Sequence, residues 1–556
     1  MPNGHAQVDT LIVDPSACSG GPPVYCDLQA ALDGAVEVPV VDVLVLLTAG
    51  TYDAAPVGGF AIKPGDVTAW TVVVKPYPGH EDQVTIVRHG GDIEPVPASE
   101  NEAAIEIHND GSEGGYTACY DMRVTIQGLN IETIGPASGI SVWSSVSDPT
   151  RLYNTGLFIQ GNTITNDALE RVEAPPQGPP TVTIMRGKGL VIGKRPQDNF
   201  YTEHLANQSI KWGEITDNEI DASADGATCW AFAGIIANNR VHSEDNEGWH
   251  HSLGRIVNTG SHPAPPFLLA PGMEQYRELL VEHNLFYCNW QLGFHFAHGS
   301  EGIIRNNIFT KSRDVDLGSQ RGGIGLSFGG AQENPELACY EWGSTITDEN
   351  LGIELGYAGL FTEANRIVNN TFDASAGPGV LTEGGSVRVR VFKGNLLTRN
   401  NLDLQFAEKA IDRNAGGPPD IFGDPDALEN DPKGWNVYWG NSSGNYGDPI
   451  FVGVNDKTAG SNPYYVGDLE GPEKYSYMLR TVNAGPPCAH VVQGQQSGAI
   501  DAGPPVDVIY FDAENGPGLG GIRTDAGAFG GEFNWWDPTG GLACLQYDTG
   551  VVNCGN

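Results

Sequence analysis

Leu279 to Phe328 reads LLVEHNLFYCNWQLGFHFAHGSEGIIRNNIFTKSRDVDLGSQRGGIGLSF, and in it a short apolar run, an Asn and a Gly-led run come round twice. Asn284 of His-Asn-Leu-Phe and Asn307 of Asn-Asn-Ile-Phe are 23 residues apart, and each is followed by a Gly-led segment, Gly293-Phe294-His295-Phe296 and Gly323-Ile324-Gly325-Leu326. A fixed period near that length marks stacked repeats, each too thin to bury its own apolar face. The same stretch holds His283, His295 and His298, with His250 and His251 just upstream.

The pattern extends in both directions. Asp217-Asn218, Asn238-Asn239, Asn369-Asn370, Gly394-Asn395 and Gly161-Asn162 are each followed, two residues beyond the Asn, by an apolar residue. Short spacings between these Asn residues correspond to single coils; the longer ones, Asn162 to Asn218, Asn239 to Asn284 and Asn307 to Asn370, hold extra coils or loops. Two Pro-rich segments, Glu173 to Pro180 and His262 to Met273, leave the sheets because Pro cannot donate to a ladder. The repeated Asn is placed at the turn, where it tolerates left-handed dihedrals and bonds its equivalent one coil away. With 74 Gly and 37 Pro in 556 residues, short strands and frequent turns are expected, and long helices are not. A solenoid grows by adding repeats, so this length does not force several domains.

At the N-terminus, strand Val8 to Val13 precedes a loop between Cys18 and Cys26. Leu28, Ala31 and Leu32 then share one helical face with Asp27 as the cap. Such a helix covers the open end of a stack. The order Val-Asp, Cys-bounded loop, Asp27-Leu-Gln-Ala-Ala-Leu-Asp33, apolar strand Val41 to Leu47 and Ala49-Gly-Thr-Tyr52 resembles the start of bacterial parallel β-helix proteins of the pectin-lyase-like superfamily. The resemblance spans nearly the whole chain. It implies an all-β, right-handed parallel β-helix: residues 1–40 as N-terminal strand, loop and capping helix, 41–410 as the helix proper, and 411–556 as closing coils and loops.

Many activities share that scaffold. The paired-Asp motifs of pectin methylesterases, the Asn-Thr-Asp, Gly-Asp-Asp and Gly-His-Gly of polygalacturonases, and the Asp-Pro-His-Glu of uronan epimerases are all absent. A polysaccharide lyase-like reading survives: β-elimination from a uronate needs a base near the α-proton and a cation to neutralise the carboxylate. If Trp249, Phe294 and Phe296 face inward, His250 and His295 face out, and stacking brings them to one side with Lys311 or Arg313. These four are the candidate catalytic residues, His250, His295 or Lys311 as base and Arg313 as neutraliser. Trp249, Trp290 and His298 are the candidates for binding substrate. Ordinary surface and core packing explain the same residues, and a metal site from His250, His251, His295 and His298 has no supporting spacing. For Ca²⁺, oxygen ligands from Asp221 and Asp225 are the candidates.

The net charge of −39 excludes nucleic acid and anionic membranes as generic partners, and it disfavours a polyanionic glycan unless a local basic patch reverses the field. Cys18 with Cys26 and Cys544 with Cys554 are spaced for two local disulfides, which implies an oxidising compartment. The first residues carry no basic segment followed by an apolar run, and the chain is read as the mature form of a secreted protein without a transmembrane segment. The leading expectation is therefore an extracellular protein that binds, and cleaves by β-elimination, an acidic polysaccharide. A non-catalytic adhesion or assembly protein that self-associates is the alternative. A glycoside hydrolase using Asp314 and Asp316 is the third reading.

Overall fold

The computed structural model describes residues 8–16, 23–37, 42–64, 69–89, 103–109, 121–143, 154–173, 181–193, 210–230, 232–252, 279–297, 302–313, 324–328, 365–382, 388–400, 409–413, 421–422, 433–459, 497, 499 and 502. It is a right-handed parallel β-helix, whose successive strands build three parallel sheets, A, B and C. The chain divides into two compact units: residues 1–235, 252–278 and 346–354 form the first, and 236–251, 279–345 and 355–556 the second.

In the first unit, sheet A stacks Val24–Tyr25, Val8–Val13, Asp42–Leu47, Ala69–Pro76, Asp121–Gln127, Asn154–Gln160 and Ile210–Thr216 in that order. On sheet B, Ile86, Ile131, Ile164 and Ile220 occupy one register position in successive strands. All four are fully buried, so identical side chains pack directly on one another down the core. Gly213 and Gly234 on sheet A take φ 138° and 135°. A Cβ on Gly213 would overlap the Leu157 carbonyl, and one on Gly234 the Gly213 carbonyl, so no other residue fits.

The helix Leu28–Glu37 starts where Asp27 Oδ1 accepts from the Gln29 N–H at 3.0 Å, and it buries Leu28, Ala31, Leu32 and Ala35. Gln29 does more than face solvent. Its amide accepts from the Ala61 N–H at 2.8 Å and donates to the Ala61 carbonyl at 3.1 Å. Ala61 lies on Phe60–Ile62, the terminal strand of sheet C, so one side chain satisfies a strand edge that would otherwise template another chain. The expected Cys18–Cys26 disulfide is not formed, since Cys26 carries a free thiol. Backbone bonds from Ile12 N–H to Pro23 and from Asp14 N–H to Tyr25 already return this segment to the sheet edge, leaving no closure for a covalent bridge to supply. Cys18, Cys544 and Cys554 lie outside the described residues.

The second unit repeats the plan. Sheet A runs Leu279–Glu282, Gly302–Arg305, Asn365–Val368, Arg388–Lys393; sheet B runs Arg240–Ser243, Leu285–Tyr287, Ile308–Thr310, Thr371–Asp373, Leu396–Thr398, Val437–Trp439, Lys457–Thr458; sheet C runs Glu247–Ser252, Leu292–Ala297, Ile324–Phe328, Val380–Thr382, Ile411–Arg413. Coils thus continue past residue 410. Phe286, Phe309 and Phe372 form a buried stack on sheet B with centroids 5.1 and 4.9 Å apart.

Turns between sheets A and B are bridged by an asparagine ladder. In the second unit the backbone N–H of Asn239, Asn284, Asn307, Asn370 and Asn395 donates to the Oδ1 of the next Asn, ending at Asn436, at 2.9 to 3.0 Å. Asp456 Oδ1 accepts from the Asn436 N–H at 2.9 Å and closes it. In the first unit Leu129, Asn162 and Asn218 make the same bonds. Direct bonding across the long intervals shows that each is a single coil with an excursion, not several coils. One such excursion is the antiparallel hairpin Leu169–Glu173 with Thr181–Met185, which flanks the Pro-rich segment. The ladder Asn is also not the left-handed residue. That conformation belongs to its predecessor, Asp217, Asn238, His283, Asn306 or Asn369, at φ 54° to 60°. The Asn itself is left free to aim its amide along the stack.

Lys211 breaks the apolar pattern. It is fully buried on sheet A, and desolvation pulls its ammonium down to about 7, with Cys229 opposing. The unfolded chain, with an ordinary lysine pKa near ~10.4, binds more protons between those two values, so this residue costs stability below pH 7 and the cost fades as pH rises toward 10. Lys211→Met is expected to raise thermal stability at pH 7 by the equivalent of about 1–4 kcal/mol, with the gap to the parent closing as pH approaches 10. A variant that melts lower at pH 7, or a gap that does not change with pH, contradicts this.

Candidate functional site

Two groups of ionisable side chains gather on the second unit, and each arises from the stacking of equivalent positions. The first lies on sheet C. Trp249 is buried and stacks on Phe294, with His251 buried beside Phe294 and Phe296. Strand alternation then turns His250 and His295 outward from neighbouring strands, with ring centroids 4.8 Å apart, about the strand spacing. Both meet Glu247. Nδ1 of His250 donates to Oε2 at 2.7 Å, and Nδ1 of His295 to Oε1 at 2.9 Å. Burial alone would raise the Glu247 carboxyl, but the charge and hydrogen bonds of the two imidazoles outweigh it and hold the group well below the usual carboxylate range.

The second group lies at the corner after sheet B. Here Cys288, Lys311, Ala374 and Arg399 occupy one column, all left-handed at φ 53° to 56°. Their N–H groups donate in turn to Thr310, Asp373, Thr398 and Trp439 carbonyls at 2.9 to 3.1 Å. Neither Lys nor Arg favours that conformation, which costs about 1–2 kcal/mol per residue. What holds them there is the corner geometry and Asp373. The Asp373 carboxylate is fully buried and accepts from Arg399 Nε at 2.8 Å, Arg399 Nη2 at 2.6 Å and Thr398 Oγ1 at 2.6 Å. Such a bidentate, charge-assisted pair is strong and geometrically exact.

Lys311 is half-buried in the same group. Desolvation lowers its ammonium, Asp373 pushes it back up, and Arg313 and Arg399 lower it again, leaving it at about 8. Arg313, also half-buried, is lowered by desolvation, and its N–H donates to the Asn289 carbonyl at 2.7 Å. Lys311 thus feels two arginines and one carboxylate, a local excess of positive charge on a chain of net charge −39.

The structure therefore groups His250 with His295, and Lys311 with Arg313. Trp249 belongs to the core and does not present a face to a ligand, because its strand position points inward onto Phe294. Trp290 is half-buried at the corner before Leu292–Ala297. His298, Asp314 and Asp316 lie outside the described residues. Asp225 is closed by Lys188, whose Nζ lies 2.9 Å from Oδ2, and by Thr228 Oγ1 at 3.0 Å. Asp221 is exposed on sheet B, and among the described residues the two belong to no cluster of three ligands. Glu247, Asp373 and Arg399 are the members that reading the sequence missed.

No protein-family model matches the sequence, and no curated protein sequence matches it. Among solved structures, the chain is similar to the PL6-family alginate lyase AlyGC, with a TM-score of 0.34, 11% identity, and coverage of 82% of this chain and 53% of that one. Pectate lyase Pel9A gives a TM-score of 0.34, 11% identity and coverage of 94% and 96%. The A-module of the Azotobacter vinelandii mannuronan C-5 epimerase AlgE4 gives 0.26, 11%, 81% and 95%. The chain spans about half the length of AlyGC.

A lysine held at about 8 should show itself chemically. Competitive labelling with an amine-reactive reagent across pH 6 to 11, read by peptide mass spectrometry, is expected to give a midpoint near 8 for Lys311 and near ~10.4 for exposed lysines. A Lys311 midpoint equal to theirs would show that the corner does not perturb it.

Proposed function

We propose that this protein binds an acidic polysaccharide and cleaves it by β-elimination, with Lys311 as the base. The observation that carries the reading is the corner where Lys311, held at about 8, feels Arg313, Arg399 and the buried Asp373 to which Arg399 is paired. An amine poised near neutrality is free to take a proton, which an ordinary lysine is not. In the proposed step the neutral Nζ of Lys311 removes the proton α to a uronate carboxylate. The electron pair forms a carbon–carbon double bond, the bond to the glycosidic oxygen breaks, and that oxygen leaves as an alcohol once protonated. Arg313 and Arg399 neutralise the carboxylate and the charge that builds on it in the enolate-like intermediate. His250 and His295 are the less apt bases, because the Glu247 carboxylate they share repels a uronate. A polymeric uronate is met outside the cell, so the proposal includes an extracellular location, and Ca²⁺ is included in the assay as an accessory cation for substrate carboxylates.

The test is incubation of the protein with a panel of uronate polysaccharides, with and without Ca²⁺, following the absorbance of the unsaturated product together with new reducing ends. Both signals are expected on at least one substrate, with Lys311→Ala lowering kcat by about 10²–10⁴-fold, the range for a positioned base. Activity should rise as pH increases through about 8, where Lys311 loses its proton. New ends without absorbance would indicate a hydrolase. Silence on every substrate, together with self-association, would indicate an adhesion or assembly protein.

A further inference from the structure

Glu247, His250 and His295 present a donor set that β-elimination at the Lys311 corner does not use. We infer that these three residues form a binding site for one divalent metal ion of the zinc class. One ligand atom from each residue lies within 4.8 Å of the other two. A tetrahedral ion with bonds of about 2.0–2.2 Å holds its donors about 3.3–3.6 Å apart. The two carboxylate-to-imidazole distances are 2.7 and 2.9 Å. These contacts reach different oxygens of Glu247, so metal entry turns the carboxylate to offer one oxygen to the ion while the imidazoles draw apart from it. The ion takes the place of the two Nδ1 protons, which move to Nε2 or leave to solvent.

Donor chemistry selects the ion. Two imidazole nitrogens and one carboxylate suit Zn²⁺, Co²⁺ or Ni²⁺, whereas Ca²⁺ takes six to eight oxygens. Two protein ligands come from one strand and the third from its neighbour in the same sheet, fixed beneath by the Trp249–Phe294 stack and the buried His251. A rigid base of that kind holds ligand geometry better than loops do. The side chains of His250, His295 and Glu247 remain 19%, 14% and 12% exposed, so an ion has a path in and solvent can fill a fourth position. A site with three protein ligands and an open fourth position is the arrangement of reactive zinc centres, not of closed structural ones.

The inference is independent of the lyase reading and is tested without activity. The full chain, stripped with a chelator and dialysed, is titrated with Zn²⁺ by calorimetry and with Co²⁺ by visible absorbance. One equivalent of each is expected to bind, with the intense bands of four-coordinate Co²⁺. Glu247→Gln and His295→Ala are each expected to weaken Zn²⁺ binding by more than about 100-fold, since altering groups that merely hydrogen-bond to a ligand already costs about 10–100-fold. His242→Ala, which alters a ring stacked on Tyr287 at 5.4 Å, should leave binding unchanged. Absence of binding by the parent protein, a Co²⁺ spectrum of six-coordinate type, or equal affinity in Glu247→Gln and His295→Ala overturns the assignment. If either variant fails to fold by circular dichroism, the stoichiometry and the Co²⁺ spectrum of the parent decide.

Discussion

A parallel coil has a structural problem at every corner: backbone groups that turn away from the sheets lose their ladder partners, and an unpaired buried N–H costs about 1–3 kcal/mol. The asparagine ladder answers it between sheets A and B. Each rung takes the backbone N–H of one coil on its Oδ1 and sends its Nδ2 to a main-chain carbonyl, as Asn307 does to Val281 at 2.8 Å and Arg305 at 3.0 Å. Every ladder amide is buried, so the bonds form in a medium where they are strong and their loss is costly. An amide carries a donor and an acceptor on one planar group, so it can accept from the preceding coil, as Asn307 Oδ1 does from the Asn284 N–H, and donate to the next, as Asn307 Nδ2 does to Asn370 Oδ1 at 3.0 Å. Asp456, with acceptors only, can stand just at the end.

Once the rungs are fixed, so is register, and everything outside the core inherits it. Three residues beyond the ladder stand Thr310, Asp373 and Thr398, and one further stand Lys311, Ala374 and Arg399. Basic side chains that are far apart in sequence are thereby brought around one buried carboxylate. The same argument sets His295 beside His250 on sheet C. Loops of very different length are tolerated because the ladder closes over them: Asn307 and Asn370 are 63 residues apart yet bonded directly. The acidic surface and the cationic corner are compatible for the same reason, since the charges that matter are set by stacking and not by composition.

Much of this was legible in the residues. The Asn spacing and Gly-led strands were enough for a coil, and the alternation of Trp249-His250 and Phe294-His295-Phe296 was enough for which imidazoles face out. Glu247, Asp373 and Arg399 were not found, although aligning Asn370 with Asn395 places Asp373 next to Thr398 and Arg399. What obscured them was abundance: with 69 acidic residues, any one carboxylate carries little information until coil register selects it. The left-handed position was misplaced by one residue because Asn tolerates that conformation so well. Its amide is needed elsewhere, and His283 or Asp217 takes the strained position. Trp249 served both as an inward residue in the parity argument and as a substrate-binding candidate, and its burial against Phe294 keeps only the first.

The central claim, that an asparagine ladder locks the coils into the register on which both ionisable groups depend, is tested most directly by native-state hydrogen exchange. The backbone amides of Asn284, Asn307, Asn370 and Asn395 are each hydrogen-bonded to a buried Oδ1. They should exchange only by global unfolding, at the slowest rates in the protein and in parallel with the strand amides on either side. Exchange of these four at the rate of exposed turn amides, while the strands stay protected, would show that the ladder does not hold the coils and that register is set by something else.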